Sequence, residues 1–373
     1  MDLSVVMGTR PEIVKMAPVV LALREIGVPF SLVHTGQHYD QELSEVFLAE
    51  LSLGSPDAVL DVGSGTQAKQ TAEALIRLEY HFAQDRPKLI LVEGDTNTVL
   101  AAALAGAKLG IDVGHVEAGL RSHDLRMPEE HNRRLTDHLS SYLFAPTEIA
   151  AKNLRQEAVW GSTWITGNTV IDASLRYLPL AEASSKVMDL VPFGRFCLVT
   201  AHRAENVDDR ETLRELVELL REAPLPIVYP VHPRTETRLE EAGLYEKLHE
   251  SENVQLLPPL GYFDFLVLMK RSALILTDSG GIQEEATAPN MQKKVLVFRR
   301  STERPEAVAA GYAKVVGTTA RGALAAMRQY LDDPSPPSAP SPYGDGSSGL
   351  QIAGRVQEIL AKETGPLGRP TAA

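Results

Sequence analysis

The polar residues of this sequence that could do chemistry recur in one kind of place, just after short apolar, β-rich runs. Gly8-Thr9-Arg10-Pro11-Glu12 follows Leu3–Met7, and Thr35-Gly36-Gln37-His38 follows Phe30–His34. Gly94-Asp95-Thr96-Asn97-Thr98 follows Leu89–Glu93, and Glu117-Ala118-Gly119-Leu120-Arg121-Ser122 follows Val113–Val116. Further on, His202-Arg203-Ala204-Glu205-Asn206, His232-Pro233-Arg234 and Asp278-Ser279-Gly280-Gly281 occupy the same kind of position, and Arg299, Arg300 and Arg304 follow the next run. Asp95, Glu117 and Glu129 are carboxylates suited to proton transfer. Arg10, beside a helix start, suits an anion. Ser279-Gly280-Gly281 combines a small hydroxyl, two glycines and a helix N-terminus, which reads as a phosphate cradle; Glu285, one turn in, can reach a ribose diol.

Each group also has a plain structural alternative. Asp95 could cap the following helix. Glu117 could pair with a structural arginine, Glu129 could be a first-turn carboxylate favoured by the helix dipole, and His202 could be a satisfied strand-end histidine. Joint placement weighs towards function, because those alternatives do not predict three carboxylates in one half and a His/Arg/Ser-Gly-Gly set in the other.

The elements that position these groups alternate as βαβ units. After the strand Leu3–Met7 comes an amphipathic helix over Glu12–Ile26, and after Phe30–His34 a helix from about Asp40. Helices are expected at Asn97–Leu109 and Glu130–Ser140, with a strand at Tyr142–Ala145. The pattern restarts with strands at Phe196–Thr200, Pro226–Pro230, Leu274–Thr277 and Val295–Phe298, and with helices near Asp209–Arg221 and Gly281. This is the signature of parallel sheets, and in such sheets ligands bind beyond the carboxyl ends of the strands. The expected fold is α/β, two Rossmann-like doubly wound domains facing across a cleft. Residues 1–170 form the first and 171–349 the second, with the joint between Asn168 and Gly194. Pro334–Gly349 reads as a loop, 350–363 as a final helix and 364–373 as a frayed tail.

Bulk properties narrow the function. The 373 residues are enough for two cores, and 44% hydrophobic with 23% charged residues is a globular composition. A net charge of −12 argues against nucleic acid, which needs a basic face, while leaving room for a small anion. The single cysteine, Cys197, sits in an apolar run and reads as a core thiol. No Cys/His cluster has zinc spacing, no apolar run spans a bilayer, and no signal-peptide core opens the chain, so a cytoplasmic protein without a metal site is expected. Gly63-Ser64-Gly65-Thr66-Gln67-Ala68 fits the dinucleotide fingerprint, but the acidic strand end that should follow about 20 residues later is missing; it reads as a turn and helix cap.

Taken together, the segments resemble the non-hydrolysing UDP-N-acetylglucosamine 2-epimerase family from Gly8 to about Gly317. The matching stretches are GTRPE (8–12), TGQH (35–38), GDTNT (94–98), HVEAGLRS (115–122), PEEHNR (128–133), GNTVID (167–172), HRAEN (202–206), PVHPR (230–234), DSGGIQEEA (278–286) and TERPEAV (302–308). The resemblance implies a glycosyltransferase-B-type fold, a final helix packing back on the first domain, a homodimer, a role in cell-surface polysaccharide synthesis, and no NAD or metal in the chemistry. It carries catalytic roles onto Asp95, Glu117, Glu129 and His202. Substrate contacts fall on Arg10, Lys15, Gln37, His38 and Arg133 in the first half. In the second half they fall on His232, Arg234, Ser279, Gly280, Gly281, Glu285 and Arg304. Gln37 and His38 also match a motif of the second, activating substrate site of some bacterial members.

The implied chemistry fits these residue types. No carbonyl acidifies C2 of the sugar, so direct inversion is implausible. Removing the C2 proton while UDP leaves C1 gives a glycal, and UDP then re-adds with protonation on the other face. That requires a base, an acid on the opposite face, and stabilisation of the departing diphosphate. A carboxylate acting as an acid near neutrality needs a raised pKa, so burial of one is expected. The resemblance also spans epimerases of UDP-2,3-diacetamido sugar acids, whose first motif tends to GARPQ, and hydrolysing epimerases, which depart from GTRPE; GTRPE and TERPEAV favour the simpler substrate. Other classes are a glycosyltransferase of the same fold and a nucleotide-sugar binding protein without turnover.

Overall fold

In a computed structural model that describes residues 1–36 and 47–362, two parallel sheets carry the chain. Gln37, His38, the start of the helix expected from about Asp40 and the tail 364–373 lie outside the described residues. Contacts divide the chain into one unit of Met1–Ala173 with Tyr343 onward, and a second of Ser174–Pro342.

The first unit contains β1 (Leu3–Met7), β2 (Ser31–His34), β3 (Ala58–Val59), β4 (Leu89–Glu93), β5 (Asp112–Val116), β6 (Tyr142–Ala145) and β7 (Ser162–Ile165). They pair in the order β3-β2-β1-β4-β5-β6-β7, parallel throughout. β1, β2, β4 and β6 are buried along their whole length. Helices cover both faces of such a sheet, which is why these runs read as continuous apolar segments rather than alternating ones. The order reverses between β1 and β4, so the chain leaves the switch point in opposite directions after Met7 and Glu93.

The second unit contains β8 (Cys197–Thr200), β9 (Ile227–Pro230), β10 (Val254–Leu257), β11 (Leu274–Thr277), β12 (Val295–Val297) and β13 (Ala313–Val315). Their order is β10-β9-β8-β11-β12-β13, again all parallel, with the switch between β8 and β11. Its core packs Leu213, Leu216, Val217 and Leu220 of the helix Arg210–Glu222 against Cys197, Val199, Ile227 and Leu276. Cys197 is fully buried and its thiol is pushed up by that burial, so it is a core side chain.

Three details differ from the sequence expectation or complete it. The segment expected to hold an aperiodic joint is helical over Thr169–Ser184, followed by a short 3-10 turn at Val187–Leu190. Its pattern is blurred because Val170, Ile171, Ala173, Ser174, Tyr177, Leu178 and Ala181 are all buried, and because Pro179 lies inside it. The fingerprint-like stretch at 63–68 is a turn and cap: Gly63 has φ +70°, and Thr66 accepts the N–H of Lys69 at 3.3 Å to open the helix Gln67–Asp85. The last helix, Ser348–Leu360, buries Ile352, Ala353, Val356 and Ile359 and packs on the helix Arg10–Glu25. Gly349 permits the approach, since a Cβ there would lie 2.8 Å from the Pro18 carbonyl oxygen, and its N–H donates to Asp172 Oδ1 at 2.7 Å.

Candidate active site

In the first unit the expected carboxylates gather beyond β4 and β5. Glu117 directly follows Val116, the last residue of β5, and takes left-handed backbone at φ +69°. For a residue with a Cβ that costs about 1–2 kcal/mol, and such strain concentrates at functional positions. The turn closes through Gly119 at φ +86°, where a Cβ would lie 2.3 Å from the Ala150 carbonyl oxygen. Lys15, one turn into the first helix, places Nζ 2.6 Å from both Glu117 oxygens. Asn168 Nδ2 donates to Glu117 Oε1 at 3.1 Å. The pairing partner is thus a lysine from the GTRPE helix and not a structural arginine.

Asp95 does not cap the helix Asn97–Leu109. Thr96 does, accepting the N–H of Val99 at 3.4 Å. Asp95 pairs closely with Arg133, whose other nitrogen donates to Glu130 Oε2 at 3.0 Å. Arg133, expected to touch substrate, is buried and engaged with these two acids. Glu130 continues the network through Arg134 to Glu157, and Glu157 accepts from Arg121 Nη2 at 2.7 Å. Arg121 Nη1 lies 2.8 Å from Asp137 Oδ2, and His115 Nδ1 lies 2.7 Å from Asp137 Oδ1. The other ring nitrogen of His115 donates to the Gly94 carbonyl at 2.8 Å, because a carbonyl can only accept. A chain of charged side chains therefore leaves the Asp95 carboxylate and returns to the backbone of the residue before it.

Glu129 and Glu130 separate into different roles. Glu130 is fully buried and takes the N–H and hydroxyl of Ser122 at 2.8 and 2.9 Å, so it fixes the loop after Glu117. Glu129 is half-buried in the first turn of the helix Pro128–Leu139 and has no hydrogen-bond or ion-pair partner among the described residues. Arg10 is exposed at the start of its helix.

Two carboxylates beyond the expected set complete the first unit. Glu12 is buried and accepts the N–H of Gly8 and the hydroxyl of Thr9, both at 2.8 Å. Burial outweighs those bonds and pushes its carboxyl up to about 7. Glu93, the last residue of β4, is 2% exposed, and its Oε1 lies 3.3 Å from Lys15 Nζ. Burial raises its carboxyl well above the usual range, the Lys15 ammonium opposes this, and Glu117 reinforces it. The sequence signal for Glu93 was a carboxylate closing an otherwise apolar strand.

In the second unit, Asp278 organises the turn after β8. It is fully buried, and its Oδ2 accepts the N–H groups of His202 and Arg203 at 2.9 Å and Asn206 Nδ2 at 3.0 Å. His202 Nδ1 lies 3.5 Å from the other Asp278 oxygen, with the ring 40% exposed, and the ring of His232 stands 5.5 Å away. Burial, then His202 and Arg234, lower the pKa of His232. Its Nδ1 accepts the N–H of Arg234, and the Arg234 side chain pairs with Asp208.

Ser279 caps the short helix Gly280–Glu285 by position, and its N–H donates to Thr277 Oγ1 at 3.0 Å. Gly280 has to be small, since a Cβ would meet Glu303 Oε1 at 3.1 Å; beside Gly281 there is open space. Glu285 is buried and accepts the Tyr262 hydroxyl at 2.6 Å. Arg304 is buried against Glu284. Glu303 binds Arg203 Nη2 at 2.7 Å and also pairs with Arg299. Burial pushes the Glu303 carboxyl up, but the guanidiniums of Arg203, Arg304 and Arg299 prevail and hold it well below the usual carboxylate range.

Strand-end groups at both switch points, in two Rossmann-like units, define an α/β enzyme of the kind found in glycosyltransferase-B-type nucleotide-sugar proteins. A family model described as UDP-N-acetylglucosamine 2-epimerase matches residues 22–357, and the chain belongs to that family. The UDP-N-acetylglucosamine 2-epimerase of Methanocaldococcus jannaschii is 43% identical over 361 residues, covering 94% of this chain and 98% of the relative. A crystal structure of the M. jannaschii UDP-GlcNAc 2-epimerase in complex with UDP-GlcNAc and UDP matches with a TM-score of 0.89 at 42% identity, covering 96% of this chain and 100% of that one. The UDP-GlcNAc 2-epimerase of Neisseria meningitidis bound to UDP-GlcNAc matches with a TM-score of 0.87 at 35% identity, with 96% and 100% covered.

Proposed function

We propose that this protein interconverts UDP-N-acetylglucosamine and UDP-N-acetylmannosamine by elimination and re-addition of UDP. The observation that carries the reading is Glu117, a strained, nearly buried carboxylate held by Lys15 at the end of β5 in a chain of this family. In the forward direction the C2–H bond breaks and its electron pair forms the C1–C2 double bond. The C1–O bond breaks as UDP leaves with the electron pair of that C1–O bond. The resulting 2-acetamidoglucal takes UDP back at C1 and a proton at the opposite face of C2. The sequence is redox-neutral, so it calls for no nicotinamide or other redox partner.

Glu117, Asp95 and Glu129 are the proposed proton-transfer groups. Lys15 and Arg133 set the charge around the first two, and Glu129 sits where a substrate could reach it. In the second unit, His202 with the Ser279-Gly280-Gly281 turn is the proposed diphosphate holder, Glu285 the ribose partner, and His232, Arg234 and Arg304 their supports. In the first unit, Arg10 is the proposed anion-binding cation. Strengthening of contacts to the diphosphate as charge moves onto it would lower the barrier. The reading extends to a homodimer in the cytoplasm that supplies a nucleotide sugar for cell-surface polysaccharide, and light scattering on the purified protein tests the dimer. Among the described residues no helix is long and apolar enough to cross a membrane.

The decisive experiment supplies UDP-N-acetylglucosamine alone in deuterated water. The expected result is an equilibrium mixture with the manno epimer, carrying deuterium at C2. Binding without C2 exchange would overturn the mechanism, and free N-acetylmannosamine as main product would place the chain on the hydrolysing branch.

A further inference from the structure

Behind Glu117 the structure holds a second buried acid that no expected role accounts for. Glu93 closes β4, and its strand partner is Val116, the residue before Glu117. Lys15 Nζ stands 2.6 Å from both oxygens of Glu117 and 3.3 Å from Glu93 Oε1. The side chains are 13% (Lys15), 8% (Glu117) and 2% (Glu93) exposed, so water does little to separate their charges. The Glu93 Oε1 atom has no hydrogen bond, only the longer approach of the ammonium.

One ammonium facing two ionised carboxylates in a dry site leaves a net negative charge, which such a site does not tolerate. A single proton removes the excess. It belongs on the acid that is deeper and more distant from the cation, and that acid is Glu93. The charged groups around it agree. From the helix Arg10–Glu25 it meets Lys15 and also Glu12, itself buried, and from beyond β5 it faces Glu117, which reinforces the rise of its carboxyl. Both acids disfavour a further negative charge, while Lys15 favours one.

We propose that Glu93 is a positioning residue that stays un-ionised during turnover: its carboxyl donates to Glu117 while Lys15 remains committed to Glu117. This rests on the reading of Glu117 as a proton-transfer group. With Glu93 neutral, the ammonium and the Asn168 amide aim the Glu117 carboxylate, and Glu117 alone among the pair carries charge. If Glu93 ionises, the two acids compete for Lys15 and the aim of Glu117 is lost. No proton is consumed, since Glu93 keeps its own throughout the cycle.

The test compares wild type, Glu93→Gln and Glu93→Ala over a range of pH, with kcat for C2 exchange and the infrared spectrum as readouts. Wild type loses activity as pH rises through the ionisation of Glu93. The expected fall in kcat between neutral pH and the alkaline end is about tenfold or more, one pH unit beyond the ionisation giving a tenfold loss of the neutral form. Glu93→Gln keeps a neutral donor that cannot ionise, so its fall is much smaller. Glu93→Ala lacks the donor and has low kcat at every pH, with KM little changed. The wild-type minus Glu93→Gln infrared difference should contain the carbonyl band of an un-ionised carboxyl at neutral pH. An alkaline fall unchanged in Glu93→Gln overturns the proposal, and so does a difference spectrum without that band. The infrared arm does not depend on turnover. A protein that never exchanges the C2 proton therefore defeats the functional reading while the band still decides the state of Glu93.

Discussion

Glu117 and Asp278 both stand directly after a strand of a parallel sheet, yet their donors differ in kind. Glu117 is held by side chains, the ammonium of Lys15 and the amide of Asn168. Asp278 is held largely by backbone, through the N–H groups of His202 and Arg203, with Asn206 closing the set. A carboxylate gripped by backbone amides is part of the architecture, because moving it or protonating it unmakes a turn. One gripped by side chains can change partner and charge without unfolding anything. The same strand-end position thus yields the proposed reacting group in one unit and an anchor in the other, and what separates them is where the donors come from.

The strongest way to break this comparison is at Glu117. Glu117→Gln keeps size and one acceptor oxygen but removes the proposed proton-transfer group, so C2 exchange should fall about a thousandfold, in the range expected for a lost acid or base, with UDP binding retained in a calorimetric titration. Normal turnover would take Glu117 out of the reacting set. Asp278→Ala should behave in the opposite manner. It strands two backbone N–H groups and one amide, and should cost about 4 kcal/mol of stability, read as a lower unfolding midpoint together with weaker UDP binding. Asp278→Asn keeps one acceptor oxygen and should lose less. A stable Asp278→Ala with weakened exchange alone would erase the distinction.

A third prediction concerns the pH dependence of the first unit. Glu12 has its carboxyl raised from 4.5 to about 7 by burial. Between those values the folded protein keeps the proton while the unfolded chain releases it, so the stabilising contribution is complete below about 4.5 and is lost as pH rises through 7. The loss is on the order of 3 kcal/mol. Urea unfolding at mildly acidic and mildly alkaline pH should show it in wild type, and Glu12→Gln should flatten it. An unchanged slope in the variant would assign the effect to another group. The smallest expected effect is at Arg133. Arg133→Lys keeps the charge but cannot reach both Asp95 and Glu130 with a planar fork, and kcat should drop about tenfold. Steady-state kinetics would check it, and an unaltered kcat would make the Asp95 ion pair incidental to turnover.

Much of the molecule was legible because parallel sheets announce themselves locally. Leu3–Met7 and Leu89–Glu93 were read at their observed bounds, since strands buried on both faces are continuous apolar runs. The helix over Thr169–Ser184 was not, because burial nearly all round removes the 3.6-residue contrast that marks a helix at the surface. β10 and β13 escaped for a different reason: they are edge strands, only partly buried, and Gln255 and Lys314 interrupt their apolar runs.

The opening motifs show the same division. The sequence alone determined that Asp95, Glu117, His202 and Ser279 stand just past strand ends, since residue type and spacing are properties of the chain. It also determined the family, because ten short motifs in order leave little freedom. Which carboxylate meets which cation was decided only by the tertiary structure. Lys15 reaches Glu117 across 102 positions of sequence, and Asp278 reaches the His202 N–H across 76. Neither partner carries a local mark of the other. Burial, which pushes the Glu12 carboxyl up to about 7 and the Glu93 carboxyl well above the usual range, is likewise a property of what folds around it.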